Sequence, residues 1–407
     1  ARNNLFSMRS VADAVVNQCV LLGLKQVGRE LEWLRGALFY PLKMLVDTVY
    51  LNSLVIDYIF GNDMSTLFLS PVKRCVGGLM LAGLLASCGG GSEDPSQQLY
   101  VIKFPHVTAP GTPKGQTAER FEDLAEARFP GRVDVEVFPS SQLMNDDDSL
   151  EALAFGEIQM IAVSLSKFDR LTEKFQVFDL PFLFSDLESV ERFQSSSTGR
   201  TLLTELVDNG FLGLAFWHNG MKQFGAPRAL RTPEDANGLK FRIMESDVIQ
   251  AQVQAIGGSP QKMAFGEVYQ ALQTGAVDAQ ENTWSNIYSS KFYEVQPYFM
   301  HTNHGYVGYL SAVNAQFWQL LPEDIREGLE EIMAEVTTWG NARAAAINED
   351  SRLKIAASQR TEIVTRSGDE ILSWQNRMQP VWTRFSAEIG PELIEAARSA
   401  SFMEVGN

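Results

Sequence analysis

Cysteine is almost absent from this sequence, which has only three in 407 residues. They are Cys19, Cys75 and Cys88, so the long C-terminal part has no disulfide framework, no thiolate metal cluster and no cysteine nucleophile. Histidine is also scarce, with four in the chain. His301 and His304 have an H-x-x-H spacing, but no H-E-x-x-H motif or cysteine accompanies them, so we interpret them as surface or hinge histidines. We expect no metal ion and no cofactor.

Positively charged residues are fewer than negatively charged ones. The chain has 34 Lys and Arg against 50 Asp and Glu, which gives a net charge of -16 and a pI near 4.8. This balance excludes a protein that tracks a nucleic-acid backbone, and an anionic ligand must be held by a few local cations. A mean hydropathy of -0.10 excludes a polytopic membrane protein, while 45% hydrophobic and 21% charged residues are typical of a globular chain.

A short uncharged run between residues 75 and 85 follows Lys73 and Arg74 and leads into Leu-Ala-Ser-Cys88. A basic segment, an apolar segment of about eleven residues and a small-residue cleavage site, in this order, are typical of a secretory signal peptide. The sequence Leu-Ala-Ser-Cys also resembles a bacterial lipobox, in which the cysteine thiol receives a diacylglycerol. The alternative is a short buried helix that happens to end in cysteine.

We therefore predict a lipoprotein signal peptide over residues 64–87, a lipid anchor on Cys88 and a flexible tether over residues 88–95. Residues 1–63 would precede this signal, although a secretory signal is read from a chain terminus. We interpret them as an over-extended translation start, with Met64 as the true initiator. The alternative is an unassigned, amphipathic helical extension that associates with a membrane.

Strand-like and helix-like periodicities alternate after residue 98, which predicts an open α/β sheet. The predicted strands include residues 99–104, 133–137, 158–163, 211–216, 240–244, 276–279 and 306–313, and the predicted helices include residues 114–129, a helix capped by Asp148, and residues 247–256. A helical stripe from Pro322 to about Ile355 would be roughly 50 Å long at 1.5 Å per residue. Because this helix is longer than one ordinary domain is wide, we expect it to run along two modules, the second of which starts near Gly220.

Six motifs between residues 106 and 282 carry a resemblance to a known family. They are His106-Val-Thr-Ala-Pro-Gly-Thr-Pro-Lys-Gly115, Asp179-Leu-Pro-Phe-Leu-Phe184, Arg231-Thr-Pro-Glu-Asp235, Gly238-Leu-Lys-Phe-Arg242, Phe265-Gly-Glu-Val-Tyr269 and Gly275-Ala-Val-Asp-Ala-Gln-Glu-Asn282. In this order they resemble the solute-binding proteins of TRAP transporters, the dicarboxylate-binding family. The resemblance runs from about Leu99 to the C-terminal helices and does not include residues 1–63.

The resemblance implies a two-domain α/β periplasmic-binding-protein fold with a ligand cleft, hinge crossings and a long helix that spans both domains. It implies domain I at residues 96–219 and 308–347, and domain II at residues 220–307 and 348–401. The chain would cross between them three times, once within the long helix. Such folds close by a hinge motion in which the ligand bridges both walls.

The resemblance also implies a carboxylate clamp at Arg242. A guanidinium suits this role because it offers two parallel donors at carboxylate spacing and is not deprotonated. Asn282 follows Gln280 and Glu281, and its amide suits the same carboxylate. The alternatives are a surface arginine at a strand end and a turn-forming asparagine.

Four further positions are candidates for ligand binding. Lys222 ends Asn-Gly-Met-Lys where the family commonly has Asn-Gly-Phe-Arg, so a second carboxylate would meet a point charge. Lys114 resembles the lysine that dicarboxylate-binding members offer from the first domain, and Phe265 and Trp217 resemble aromatics of the cleft wall. The alternatives are a solvated lysine at a helix start and aromatics that belong to the core.

We therefore expect an extracytoplasmic receptor that captures a small organic carboxylate and delivers it to the membrane permease subunits of a TRAP transporter. Cationic positions on opposite walls favour a C4-dicarboxylate such as malate, succinate or fumarate, and the alternative ligand is a sugar acid or a 2-oxo acid. An α/β enzyme is a weaker alternative, because the sequence has no G-x-S-x-G elbow, P-loop or metal-ligand set. The expected location is the periplasm, with the chain held at a bacterial membrane by the lipid on Cys88.

Overall fold

A computed structural model of the chain describes residues 98–402. The predicted signal peptide, the Cys88 anchor, the tether and residues 1–63 lie outside the described residues. Within residues 98–402, no helix combines the length and the apolar character needed to cross a membrane.

Three sheets are formed by the eleven strands of the described part of the chain. The strands are β1 (Tyr100–Pro105), β2 (Val133–Phe138), β3 (Met160–Ser164), β4 (Phe211–Met221), β5 (Gln223–Ala226), β6 (Lys240–Ile243), β7 (Ser259–Lys262), β8 (Ala279–Asn282), β9 (Tyr298–His301), β10 (Tyr306–Asn314) and β11 (Glu362–Thr365). β1 and β2 form a parallel pair, and β3, β10 and β4 form an antiparallel sheet in that order. The third sheet has the order β11-β9-β5-β8-β6-β7.

Helices connect and cover these sheets. They are α1 (Pro113–Arg128), α2 (Asp146–Ala154), α3 (Leu187–Ser195), α4 (Ser197–Thr201), α5 (Asp247–Ala255), α6 (Val268–Thr274), α7 (Trp284–Ser289), α8 (Ala315–Leu320), α9 (Glu323–Ser358), α10 (Gly368–Ile389) and α11 (Pro391–Phe402). Polar side chains fix several of the starts. Thr112, Ser246 and Thr283 each accept a backbone N–H in the first turn of α1, α5 and α7, which satisfies donors that the helix itself leaves free.

Apolar side chains cover both faces of the three-stranded sheet. Trp217 and Tyr309 point to the face on which α1 and α9 pack, whereas their neighbours Phe216 and Leu310 point into the opposite core. The six-stranded sheet also packs on an apolar core, which includes Phe224. The predicted α/β architecture is confirmed, while the proposed domain boundaries stay a prediction.

The long helix predicted from Pro322 is α9, which has 36 residues. Two other predicted elements begin at residues that differ from the prediction. The helix predicted to be capped by Asp148 starts three residues earlier, because the Asn145 side chain accepts the N–H groups of Asp147 and Asp148. The strand predicted over residues 276–279 is β8, which begins only at Ala279, since the Val277 N–H still bonds back to the helix that precedes it.

The packing of α9 on α1 depends on a small residue. A side chain at Gly340 would overlap the hydroxyl of Thr117, which is buried and held by the Pro113 carbonyl at 2.8 Å. We predict that Gly340→Val lowers the free energy of unfolding in urea by about 1–3 kcal/mol, the usual cost of overpacking a core. Gly368→Ala is the control, because its Cβ would meet nothing within 4 Å, and it should be at least as stable as wild type. Equal stability of Gly340→Val would contradict this close packing.

Candidate functional site

A cavity lies where the carboxyl ends of strands from different sheets meet. Ser164 ends β3 on one side, and Asn282 ends β8 on the other. Polar groups converge there because the carboxyl ends of strands in open α/β sheets leave a crevice. The polar residues that line the cavity are Thr108, Asn145, Asp146, Asp147, Ser164, Lys167, Arg242, Glu281, Asn282, Asn286 and Tyr309.

Arg242 is the most deeply buried cation among the residues that line this cavity. It lies in β6 and is only 2% exposed, and its Nε and Nη2 donate to the Met263 carbonyl at 3.1 and 2.8 Å. Burial lowers the pKa of Arg242 to about 10 against the opposing effect of Glu281, so the guanidinium stays charged at neutral pH. Among the described residues, Nη1 has no hydrogen-bond partner and the guanidinium forms no salt bridge. The anchored group can therefore offer donors to an anion in the cavity.

Asn282 presents a hydrogen-bond donor beside it. Its Oδ1 accepts from the Thr283 N–H at 3.0 Å and from Asn286 Nδ2 at 2.9 Å, which fixes the orientation of the amide. The Nδ2 group is the part of this side chain that remains for a ligand. Phe265 also lines the cavity from a 3-10 turn, where its ring packs on Phe292 with the centroids 5.9 Å apart.

Lys222 is not among the cavity-lining residues. Its Nζ donates to Glu281 Oε1 at 2.8 Å, while Glu281 Oε2 contacts His304 Nε2 at 2.9 Å. Burial acts to raise the pKa of Glu281, but Lys222 and His304 outweigh it and lower this pKa to about 2. Direct contact of Lys222 with a ligand carboxylate is therefore not supported by this geometry. His304 itself is fully buried, so of the two predicted positions the surface is wrong for it, and the hinge stays a prediction.

Lys114 and Trp217 also lie behind the cavity wall. Lys114 Nζ donates to the Ala162 carbonyl at 2.9 Å and lies 3.9 Å from the centroid of the Tyr309 ring. Burial lowers the pKa of Lys114 to about 8. Trp217 is 1% exposed, and its Nε1 donates to Thr337 Oγ1 at 2.9 Å. Both side chains support Tyr309 and the sheet beneath it, and neither is a lining residue.

The sequence did not single out the polar residues of the opposite wall. Lys167 Nζ pairs with both carboxylate oxygens of Asp147 at 2.9 and 2.7 Å, and Ser164 is 3% exposed with no partner for its Oγ in the described chain. Ser164 ends the buried strand β3 and Lys167 lies in the turn that follows it, which was a usable signal, since residues at that end of a strand face the crevice.

The charges of the cavity are unevenly paired. Asp147 pairs with Lys167, and Glu281 pairs with Lys222, so these two carboxylates have cationic partners. Arg242 has only a backbone carbonyl among the described residues. No group of three or more His, Cys, Asp or Glu within residues 98–402 is arranged to hold a metal ion.

Residues 104–388 match the family model described as DctP, Bacterial extracellular solute-binding protein, family 7. The C4-dicarboxylate-binding periplasmic protein DctP of Shewanella loihica is 46% identical over 327 residues, which are 80% of this chain and 96% of that protein. The family match includes every cavity-lining residue named above.

Two solved structures share the fold at similar identity. A TRAP periplasmic solute-binding protein from Shewanella oneidensis with bound succinate has a TM-score of 0.74 and 47% identity, over 74% of this chain and 99% of that one. Another, from Pseudomonas aeruginosa with bound L-malate, has a TM-score of 0.69 and 45% identity, over 70% of this chain and 99% of that one.

The pairing of Lys222 with Glu281 leads to a stability prediction. Lys222→Met leaves a buried carboxylate with His304 as its remaining partner, and loss of one member of a buried pair costs about 3–5 kcal/mol. We expect a decrease of that size in the free energy of unfolding, measured in urea. The double variant with Glu281→Gln removes both charges and should recover part of the loss. Equal losses in the single and double variants would show that the two side chains are not coupled.

Proposed function

Because this chain belongs to the bacterial extracellular solute-binding proteins of family 7, we propose that it captures a C4-dicarboxylate outside the cytoplasm. The relative from Shewanella loihica is named for C4-dicarboxylate binding, and the two solved structures hold succinate and L-malate. Membership of a solute-binding family favours a receptor over an enzyme.

The unpaired guanidinium of Arg242 is the observation that carries this proposal. A buried charge is costly unless an opposite charge or several hydrogen bonds compensate it, and here a single backbone carbonyl does so. A ligand carboxylate would supply the missing charge and accept from Nη1. Asn282 Nδ2 would donate to the same group, and Phe265 would cover its carbon chain.

We assign the second carboxylate to the opposite wall. The Ser164 hydroxyl has no partner in the described chain, and the Lys167 ammonium has a third hydrogen beyond the two that Asp147 accepts. Lys222, Lys114 and Trp217 then act from behind the wall, where they hold Glu281 and Tyr309 in place. In the predicted domain division, Arg242 and Lys167 belong to different domains, so a ligand that binds both would close the cleft.

The proposed setting is the periplasm, which the names of the relatives state for those proteins. In this proposal the loaded receptor delivers its ligand to the membrane permease subunits of a TRAP transporter. The competing ligand class is a sugar acid or a 2-oxo acid, which also brings a carboxylate to Arg242. A sugar acid that binds more tightly than every C4-dicarboxylate would replace the proposed ligand.

Calorimetric titration of Arg242 variants tests the site. Removal of one side of a buried, hydrogen-bonded charge pair costs about 2–5 kcal/mol, so Arg242→Ala should lose about thirtyfold to several-thousandfold in affinity for malate. Arg242→Lys should recover only part, because the charge returns without the guanidinium fork. Unchanged affinity in a folded Arg242→Ala protein would mean that the anion binds elsewhere.

Arg366 provides a matched control for this titration. It is 6% exposed, and its Nε and Nη2 both donate to the Leu230 carbonyl, as those of Arg242 do to Met263, but it does not line the cavity. Arg366→Lys should therefore disturb the fold about as much as Arg242→Lys and leave the affinity for malate unchanged.

We also propose that Cys88, which lies outside the described residues, carries a lipid anchor. Its basis is the sequence, in which a basic and an apolar segment precede Leu-Ala-Ser-Cys. Cys88→Ser should release the protein from bacterial membranes, because a single thiol would carry the whole anchor. Fractionation and mass spectrometry decide this prediction. An unmodified Cys88 in membrane-bound wild type would contradict it.

A further inference from the structure

Asp146 is a carboxylate inside a cavity that we assign to an anion. It is the first residue of α2 and lines the cavity, and it is 8% exposed. The preceding residue, Asn145, caps the helix, so the side chain of Asp146 is not needed for that purpose. The position of Asp146 is set by the helix start, and its carboxyl group is left for another role.

No hydrogen bond to this carboxyl group is present in the described chain, and its Oδ1 is buried without a partner. The other two carboxylates of the cavity differ from it. Asp147 accepts from Lys167, and Glu281 accepts from Lys222. An unpaired buried acceptor costs about 1–3 kcal/mol, more when it is charged, so native structures seldom leave one unused.

The cations around Asp146 oppose the effect of its burial but do not outweigh it. Burial raises the pKa of Asp146, while Lys114, Lys167 and Arg242 act in the opposite direction and Asp147 adds to the rise. Lys114 donates to the Ala162 carbonyl and Lys167 donates to Asp147, so both ammonium groups have other partners. What Asp146 lacks is a hydrogen-bond donor in contact with its oxygen atoms.

A ligand can supply this donor. A second carboxylate placed against Asp146 would be repelled, whereas a hydroxyl group would form a short, charge-assisted hydrogen bond with it. We propose that Asp146 determines specificity by accepting a hydrogen bond from a hydroxyl group on the carbon chain of the ligand. The cavity then favours hydroxylated C4-dicarboxylates over unsubstituted ones. This inference rests on the proposed function and names the ligand class more narrowly.

Malate and succinate differ by one hydroxyl group and provide the test. Calorimetry of the wild-type protein at pH 8 should show malate bound about tenfold to a hundredfold more tightly than succinate, the range for one hydrogen bond to a charged group. In Asp146→Ala this ratio should fall to about threefold or less, because the loss falls on malate alone. Asp147→Asn is the matched control, and it should change the affinities for both ligands alike and keep their ratio.

Asp146→Asn keeps the shape of the side chain and guards against a folding defect in the alanine variant. It should also reduce the ratio, since a neutral amide oxygen accepts a weaker hydrogen bond than a carboxylate does. Equal affinities in wild type, or an unchanged ratio in both Asp146 variants, would overturn the inference.

Titration of malate in two buffers of different ionisation enthalpy completes the test. Lys114, whose pKa is about 8, can take up a proton when an anion binds, so wild type is compared with Asp146→Asn, which has no carboxylate to protonate. We expect the same difference in heat between the buffers for both proteins, because the hydrogen comes from the ligand hydroxyl. Greater proton uptake in wild type than in Asp146→Asn would overturn the inference, since Asp146 would then carry the hydrogen itself. Absence of binding for every C4-dicarboxylate would instead contradict the proposed function.

Discussion

The buried guanidinium of Arg242 is the constraint on which the candidate site depends. It is fixed at one edge by the Met263 carbonyl and has no carboxylate partner among the described residues. Burial of a charge in a protein is costly unless the charge is paired, and this pairing is incomplete in the protein chain. A negatively charged ligand therefore gains more at this position than it would at an exposed arginine, whose charge is already screened by water.

A charged layer behind the cavity, formed by Lys222, His304 and Asp179, keeps Arg242 available for a ligand. Glu281 lines the same cavity and would be the natural partner of the guanidinium, but Lys222 and His304 occupy its two oxygen atoms from behind. Lys222 is in turn 3.8 Å from Asp179, a second buried carboxylate. Burial raises the pKa of Asp179 to about 6, with Lys222 the largest opposing influence. Because Glu281 is already paired with Lys222 and His304, the guanidinium of Arg242 stays available for a ligand.

Helices and strands with a strong hydrophobic periodicity were predictable from the sequence. So were residues whose neighbours in space are also close in sequence. The stripe of α9 and the alternation of β2 place one face of each in the core, so both were found. Arg242 and Asn282 were found through family motifs, and both line the cavity. Their ligand-binding roles remain proposals.

The sequence failed where a partner lies far along the chain. Lys222 was assigned to a ligand from its position in a family motif, and its partner Glu281, 59 residues along the chain, could not be identified from that motif. Asp146 lies in an acidic run that reads as an ordinary helix start, and only the fold reveals that its carboxyl group is buried beside cations. Which buried charges pair with each other is decided by the tertiary structure, so a local sequence pattern does not predict it.

The most direct measurement compares malate with its diamide, which keeps the hydroxyl group and the carbon chain but has no negative charge. If the cavity is completed by the charge of its ligand, calorimetry should show malate bound at one site per chain and the diamide bound at least about thirtyfold more weakly. Equal affinities for the two compounds would contradict the account, because the unpaired guanidinium would then not be what the ligand compensates.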